Sequence, residues 1–233
     1  MGVRRVKVLG LYPKELNLYG DRGNALCILK RLEGRGFKAE YISAGIGDRI
    51  PDFDIMLIGG GQDKEMKIIS RDIKRKSETL SFFVRSGKVI FGVCGGFQLL
   101  GEYYKAQSGE LLRLSGALPF YTEAGEKRRI GNLVIDTPFG KVAGFENHSG
   151  LTYLGDLKPL GRVLCGFGNC GDGGEGVIFN NTFGTYAHGP VLPKNPTLAD
   201  ALIMRALCCD ELAQLDDEIE NKCHSFLIKK FKK

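Results

Sequence analysis

The chain has 233 residues, of which 43% are hydrophobic and 26% charged, enough apolar mass to bury one sizeable core and too evenly mixed for a disordered or fibrous chain. No run of about 18 apolar residues occurs and the basic N-terminus lacks an apolar signal region, so a membrane span and a secretory leader are not expected. The formal charge of +6 is modest and gathers partly in the tail Lys229-Lys230-Phe231-Lys232-Lys233, with no nucleic-acid motif beside it.

The 7 cysteines are odd in number and irregularly spaced, which suits reduced intracellular thiols better than a disulfide framework. No metal site is expected. Cys165 and Cys170 stand too far apart for a tight Cys-x-x-Cys knuckle, and Cys208-Cys209 has no histidine nearby. A cytoplasmic location follows, with a lysine tail suited to an anionic membrane surface. The 33 glycines are roughly twice the usual ~7%, and apolar segments spread among them imply tight turns and close backbone approaches.

In chain order, the apolar run Val6 to Leu11 predicts a strand, and Asn17 to Gly23 a glycine-bearing loop. Ala25, Leu26, Leu29 and Leu32 then recur at helical spacing. Lys38 to Ser43 and Asp54 to Ile58 read as strands, the second stopping at Gly59-Gly60-Gly61. Residues 62–85 carry a helical stripe of Met66, Ile69, Ile73, Leu80, Phe83 and Val84. Val89-Ile90-Phe91 is a further buried strand. This alternation predicts an α/β fold with a mostly parallel central sheet flanked by helices and the active site at the carboxyl ends of its strands. From about 110 to 190 the segments shorten and glycine recurs, which predicts a smaller antiparallel β extension. Asn195-Pro196 supplies an N-cap and a proline at the first helical position, opening a helix to about Leu212, with a last helix running to the lysine tail.

The chemistry concentrates at Gly92-Val93-Cys94-Gly95-Gly96. Small neighbours around a cysteine at a strand end permit a sharp strand-to-helix corner, a nucleophile elbow with sulfur in place of oxygen. A helix N-terminus at that point is expected to lower the thiol pKa. The base expected for it is His188, which ends the segment Gly184-Thr185-Tyr186-Ala187-His188 before Gly189-Pro190. Backbone N–H groups of Gly60, Gly61 and Gly95 are the candidate oxyanion hole.

Three segments, Asn17-Leu18-Tyr19-Gly20-Asp21-Arg22-Gly23-Asn24, Gly144-Phe145-Glu146-Asn147-His148-Ser149-Gly150 and Gly184 to Pro190, taken with the cysteine elbow, resemble the class I glutamine amidotransferases. The match is to the branch related to cobyric acid synthase, and within it to the GatD-type glutaminase subunits of lipid II isoglutaminyl synthases. The resemblance implies a flavodoxin-like core, one glutamine amidotransferase domain over residues 1–233, and attack of Cys94 on L-glutamine with His188 moving the proton. It also implies a heterodimer with a MurT-like Mur ligase that carries ATP and Mg, through which lipid II is reached and its D-glutamate α-carboxylate amidated. This chain has no Gly-x-x-x-x-Gly-Lys-Ser/Thr loop, so no cofactor is expected on it.

Many family members carry a glutamate two positions after the histidine, where this chain has Pro190, so a Cys/His dyad or a carboxylate from the partner is expected. Arg128 or Arg129 is expected to clamp the glutamine α-carboxylate. Gln62 is expected either at the bound amide or as a helix cap. Glu146-Asn147-His148 reads as a polar loop near the site, and His224 as a surface residue. The alternatives are a glutaminase serving another synthetase, as in corrin amidation, and a noncatalytic or redox-sensing thiol protein on the same fold.

Overall fold

The structure is a computed structural model and describes residues 5–231; Met1 to Arg4 of the basic N-terminus and Lys232-Lys233 of the tail lie outside the described residues. The chain opens with β1 (Arg5–Leu11), α1 (Arg22–Glu33), β2 (Lys38–Ala44) and β3 (Ile55–Ile58). Next come α2 (Asp63–Arg75), α3 (Ser77–Arg85), β4 (Val89–Val93) and the single-turn α4 (Gly95–Gln98). The middle is β-rich: β5 (Tyr103–Lys105), β6 (Leu111–Arg113), β7 (Tyr121–Thr137), β8 (Gly140–Tyr153), β9 (Gly161–Cys165), β10 (Gly174–Glu175), β11 (Val177–Phe179) and β12 (Thr182–Thr185). Two helices close the chain, α5 (Pro196–Leu207) and α6 (Glu218–Phe231).

Among the described residues the first sheet has 6 strands in the order β11-β12-β4-β3-β1-β2, all parallel except the antiparallel edge pair of β11 with β12. Every residue of β3, β4 and β12 is buried, as expected of strands covered on both faces. The second sheet runs β10-β9-β7-β5-β6, with β8 paired along β7. The predicted α/β class with an antiparallel extension is what the structure has. The exceptions are β11 and β12, grouped with the extension by their glycines, which instead belong to the first sheet, β12 parallel to β4 and β11 antiparallel at its edge, and β5, which runs parallel to β7 within the second sheet.

Two helix expectations are corrected. The helix predicted over 62–85 is two helices parted at Lys76, whose N–H closes onto the Asp72 and Ile73 carbonyls. The Lys76 ammonium is buried against the Asp72 carboxylate, which also accepts Tyr12 Oη–H at 2.7 Å and the Gly47 N–H at 3.0 Å. A buried charge needs such partners, and the turn at Lys76 supplies them. The helix predicted to reach Leu212 stops at Leu207, because Cys208 is left-handed at φ 54°. The stretch beyond it is pinned by Arg31, which makes paired bonds of 2.7 Å to both Asp200 and Asp217. Asn195 does not cap α5 with its side chain. Its amide instead grips both backbone groups of Ala143 at 2.8 Å and so ties the start of the helix to β8.

Candidate active site

β4 and β12 run parallel and in register, Val93 beside Thr185, so their carboxyl ends deliver Cys94 and the Tyr186-Ala187-His188 segment to the same side of the sheet. Cys94 turns the corner at φ 51° and ψ −109°, a backbone region costly for any side-chain-bearing residue and found where structure enforces it. What enforces it is visible. The Cys94 N–H is held by the Thr185 carbonyl at 2.8 Å, its carbonyl accepts the Gln98 N–H at 3.0 Å, and α4 packs so closely on β3 that a Cβ on Gly96 would strike the Ile58 carbonyl oxygen.

The thiol is 6% exposed, and burial pushes its pKa up to about 12 even though the Gly95 N–H bonds to it. This overturns the expectation of a lowered pKa. Four residues of helix give little dipole, and desolvation of the thiolate outweighs one N–H while Asp21 adds like charge.

His188 leaves the first sheet and bridges to the second, its N–H donating to the Phe145 carbonyl at 2.9 Å and its own carbonyl accepting the Phe145 N–H at 3.3 Å. The approach is held by Glu175, a fully buried carboxyl that accepts the Tyr186 N–H at 2.5 Å and Thr185 Oγ1–H at 2.9 Å. The imidazole lies between Tyr19, stacked at 4.1 Å between centroids, and the edge of Phe145 at 5.6 Å. Both ring nitrogens are buried without a partner among the described residues. Burial, helped by the nearby Lys194 and Arg128 charges, pulls the His188 pKa down to about 4. The site at neutral pH therefore holds a neutral thiol and a neutral imidazole, with no hydrogen bond between them.

Of the three predicted oxyanion donors, Gly60 is corrected: its N–H is taken by Asp21 Oδ2 at 3.0 Å. The Gly61 nitrogen lies beside the elbow, where a Cβ on Gly95 would come within 3.1 Å of it, and makes no hydrogen bond among the described residues. Gly61 and Gly95 remain as the candidate donors beside the elbow.

A polar cavity of about 230 Å³ opens over Cys94, lined by Gly61, Gln62, Gln98, Arg128 and His148 among others. Arg128 reaches it from the irregular stretch where the β7–β8 register breaks between Ala124 and Arg129, and its Nε–H donates to Asn147 Oδ1 at 2.5 Å. Arg129 does not line the cavity; its guanidinium lies over the Phe167 ring at 3.9 Å. Gln62 does two things, capping α2 in a box with Glu65 and lining the cavity.

Glu146-Asn147-His148 is strand, not loop, because it pairs with Arg129 to Gly131 along β7. His148 is buried and stacked on Tyr186 at 3.7 Å, with Nδ1–H directed to the Gly150 carbonyl at 2.9 Å and Nε2 3.4 Å from Glu146. His224 is half-buried against the Lys194 carbonyl. Sequence reasoning missed Tyr19, Asp21, Gln98 and Glu175. Tyr19 and Asp21 lie in the Asn17 to Asn24 segment that carries the resemblance, and Gln98 lies one helical turn past the cysteine, whereas Glu175 had no local signal.

Residues 7–196 match the CobB/CobQ-like glutamine amidotransferase domain family. Among similar proteins, the lipid II isoglutaminyl synthase (glutamine-hydrolyzing) subunit GatD of Staphylococcus aureus is 36% identical over 224 residues, covering 92% of this chain and 91% of its own. The protein of the same name from Streptococcus pneumoniae is 39% identical over 210 residues, covering 87% and 81%. A solved glutamine amidotransferase superposes with a TM-score of 0.59 at 20% identity, covering 85% of this chain and 98% of its own, which shows a shared fold. No helix among the described residues is long and apolar enough to cross a membrane.

Proposed function

This chain belongs to the CobB/CobQ-like glutamine amidotransferase family, and from that premise we propose that it is the glutaminase subunit of a lipid II isoglutaminyl synthase, with Cys94 as nucleophile and His188 as base. The observation that carries the reading is the strained, backbone-braced corner at Cys94, opening into a polar cavity of amino-acid size beside the Gly61 and Gly95 N–H groups.

The thiol gives its proton to His188 as Sγ bonds to the side-chain amide carbon of L-glutamine, and the oxyanion that forms accepts hydrogen bonds from Gly61 and Gly95. Collapse breaks the carbon–nitrogen bond, the imidazolium returns its proton to the leaving nitrogen, and ammonia departs from a γ-glutamyl thioester. Water, deprotonated by the same imidazole, then releases glutamate and restores the thiol. Burial keeps the imidazole neutral, as a base must be, but also weakens it as a proton acceptor, and an orienting carboxylate would raise its pKa back towards the operating pH. Arg128 binds the α-carboxylate in the cavity.

The His188 nitrogens have no orienting acid among the described residues, and Pro190 stands two positions after His188, where the resemblance to class I amidotransferases would put a glutamate, so the third carboxylate comes from the partner. That partner is a MurT-like Mur ligase, which binds ATP and Mg, activates the D-glutamate α-carboxylate of lipid II and receives the ammonia. The pair works on the cytoplasmic side of the membrane.

The test is co-expression with the ligase and assay of lipid II amidation. Cys94→Ala should abolish amidation fed by glutamine while amidation fed by ammonium salts persists. Glutamine-fed amidation that survives the substitution would sink the proposal. An isolated subunit hydrolysing glutamine as fast as the pair would dismiss the partner carboxylate.

A further inference from the structure

Asp21 is buried at 5% exposure, and nothing in the catalytic cycle above uses it. It stands at the N-cap of α1, yet its side chain makes no capping bond. Instead Oδ2 crosses to the Gly60 N–H at 3.0 Å, while Oδ1 is buried without a partner among the described residues. Burying a carboxylate is expensive, and the backbone N–H groups of Gly60, of Tyr19 and of Asp21 itself are what favour its charged form there. Burial raises the Asp21 pKa to about 6, so the group stays largely ionised at neutral pH.

The bond matters because of what lies on the other side of Gly60. The Gly60 carbonyl accepts the Leu18 N–H at 3.3 Å, from the same loop that carries Asp21. In a trans peptide the C=O and the next N–H point in opposite directions. With its carbonyl turned toward Leu18, the Gly60–Gly61 peptide must turn the Gly61 N–H away from that loop, to the side where the elbow stands. The preceding peptide, which owns the Gly60 N–H, is fixed by Asp21. Three consecutive glycines would otherwise sample many orientations, and a donor that must reorient during the reaction loses most of its value.

We propose that Asp21 is a positioning residue for acyl transfer: its carboxylate locks the Gly60 turn so that the Gly61 N–H stays aimed at the oxyanion. This inference rests on the glutaminase reading above.

The test uses the subunit paired with its ligase. Asp21→Ala should lower kcat for glutamine hydrolysis about 10- to 100-fold, part of the effect of deleting an oxyanion donor, with KM held within about 3-fold. Asp21→Asn keeps an oxygen for the Gly60 N–H and should recover kcat to within about 5-fold of wild type. Alkylation of Cys94 by iodoacetamide, read by mass spectrometry, displaces iodide at a saturated carbon and builds no oxyanion. Its rate should change less than about 3-fold in both variants, a separation that misfolding or a general loosening of the elbow cannot produce. Wild-type kcat in Asp21→Ala, or an equal fall in hydrolysis and alkylation, would overturn the proposal. A wild-type pair that releases no ammonia from glutamine would overturn the underlying reading first, before any variant is compared.

Discussion

The first sheet and the β7–β8 hairpin meet at one cavity and contribute to it in different ways. The first sheet supplies backbone: a strained corner at Cys94, N–H groups from Gly61 and Gly95, and strand ends in register that bring His188 to the same side. The hairpin supplies side chains, Arg128 from the break in its register and Asn147 and His148 from the paired strand opposite. Backbone donors in a fixed frame suit a charge that exists only in the transition state, whereas long polar side chains suit a ground-state ligand. Damage to the first sheet should therefore appear in kcat, and damage to the hairpin in KM.

The sharpest test on the catalytic side is His188. His188→Ala should lower kcat for glutamine hydrolysis about 1,000-fold, within the range for loss of a general base, and leave KM within a few-fold. Steady-state ammonia release by the subunit–ligase pair measures both. A rise in KM at constant kcat would mean that the imidazole contacts ligand and moves no proton, and the division between the two regions would fail.

On the recognition side, neighbouring arginines make an internal control. Arg128→Ala should raise KM for glutamine about 10- to 100-fold, the loss of a charge-assisted hydrogen bond, with kcat little changed. Arg129→Ala should leave KM within about 3-fold and lower the melting temperature, because its guanidinium packs over Phe167 outside the cavity. The reverse pattern would put the wrong arginine in the site.

The sequence displayed what depends on short-range pattern. Buried strands such as Val89–Val93 show as apolar runs, the elbow as glycines around Cys94, and the proposed base as a histidine just past the end of a strand. It hid what depends on distant parts of the chain meeting. Asp21 and Gly60 are 39 positions apart, and no local feature marks either as the other's partner. The two arginines sit side by side, and only the register break of β7 against β8 decides which one enters the cavity. The thiol pKa went the wrong way for the same reason, since burial comes from the whole fold and the helix behind Cys94 has only four residues.

Glu175 is where the two sheets are stitched together, a carboxyl on β10 of the second sheet bonded to Thr185 and Tyr186 at the end of β12 in the first. Burial raises its pKa to about 7, against partial opposition from the Tyr186 N–H and the Thr185 hydroxyl. Below about pH 4.5 the folded and unfolded chains both hold the proton and its full stabilising contribution is present. As pH rises from there towards 7 the unfolded chain ionises while the folded one keeps the proton, so stability is lost across that window, by at most about 3 kcal/mol. Glu175→Gln removes the titration and keeps the bonds, its amide oxygen accepting both the Tyr186 N–H and the Thr185 Oγ1–H as Oε1 does now. Relative to wild type, the variant should gain on the order of 5 °C in melting temperature between pH 5 and pH 8. Asp21 and His188 titrate in both proteins and cancel in the difference. A gap between the two proteins that does not change with pH would show that Glu175 is ionised in the folded chain and that the junction of the sheets is better solvated than its burial implies.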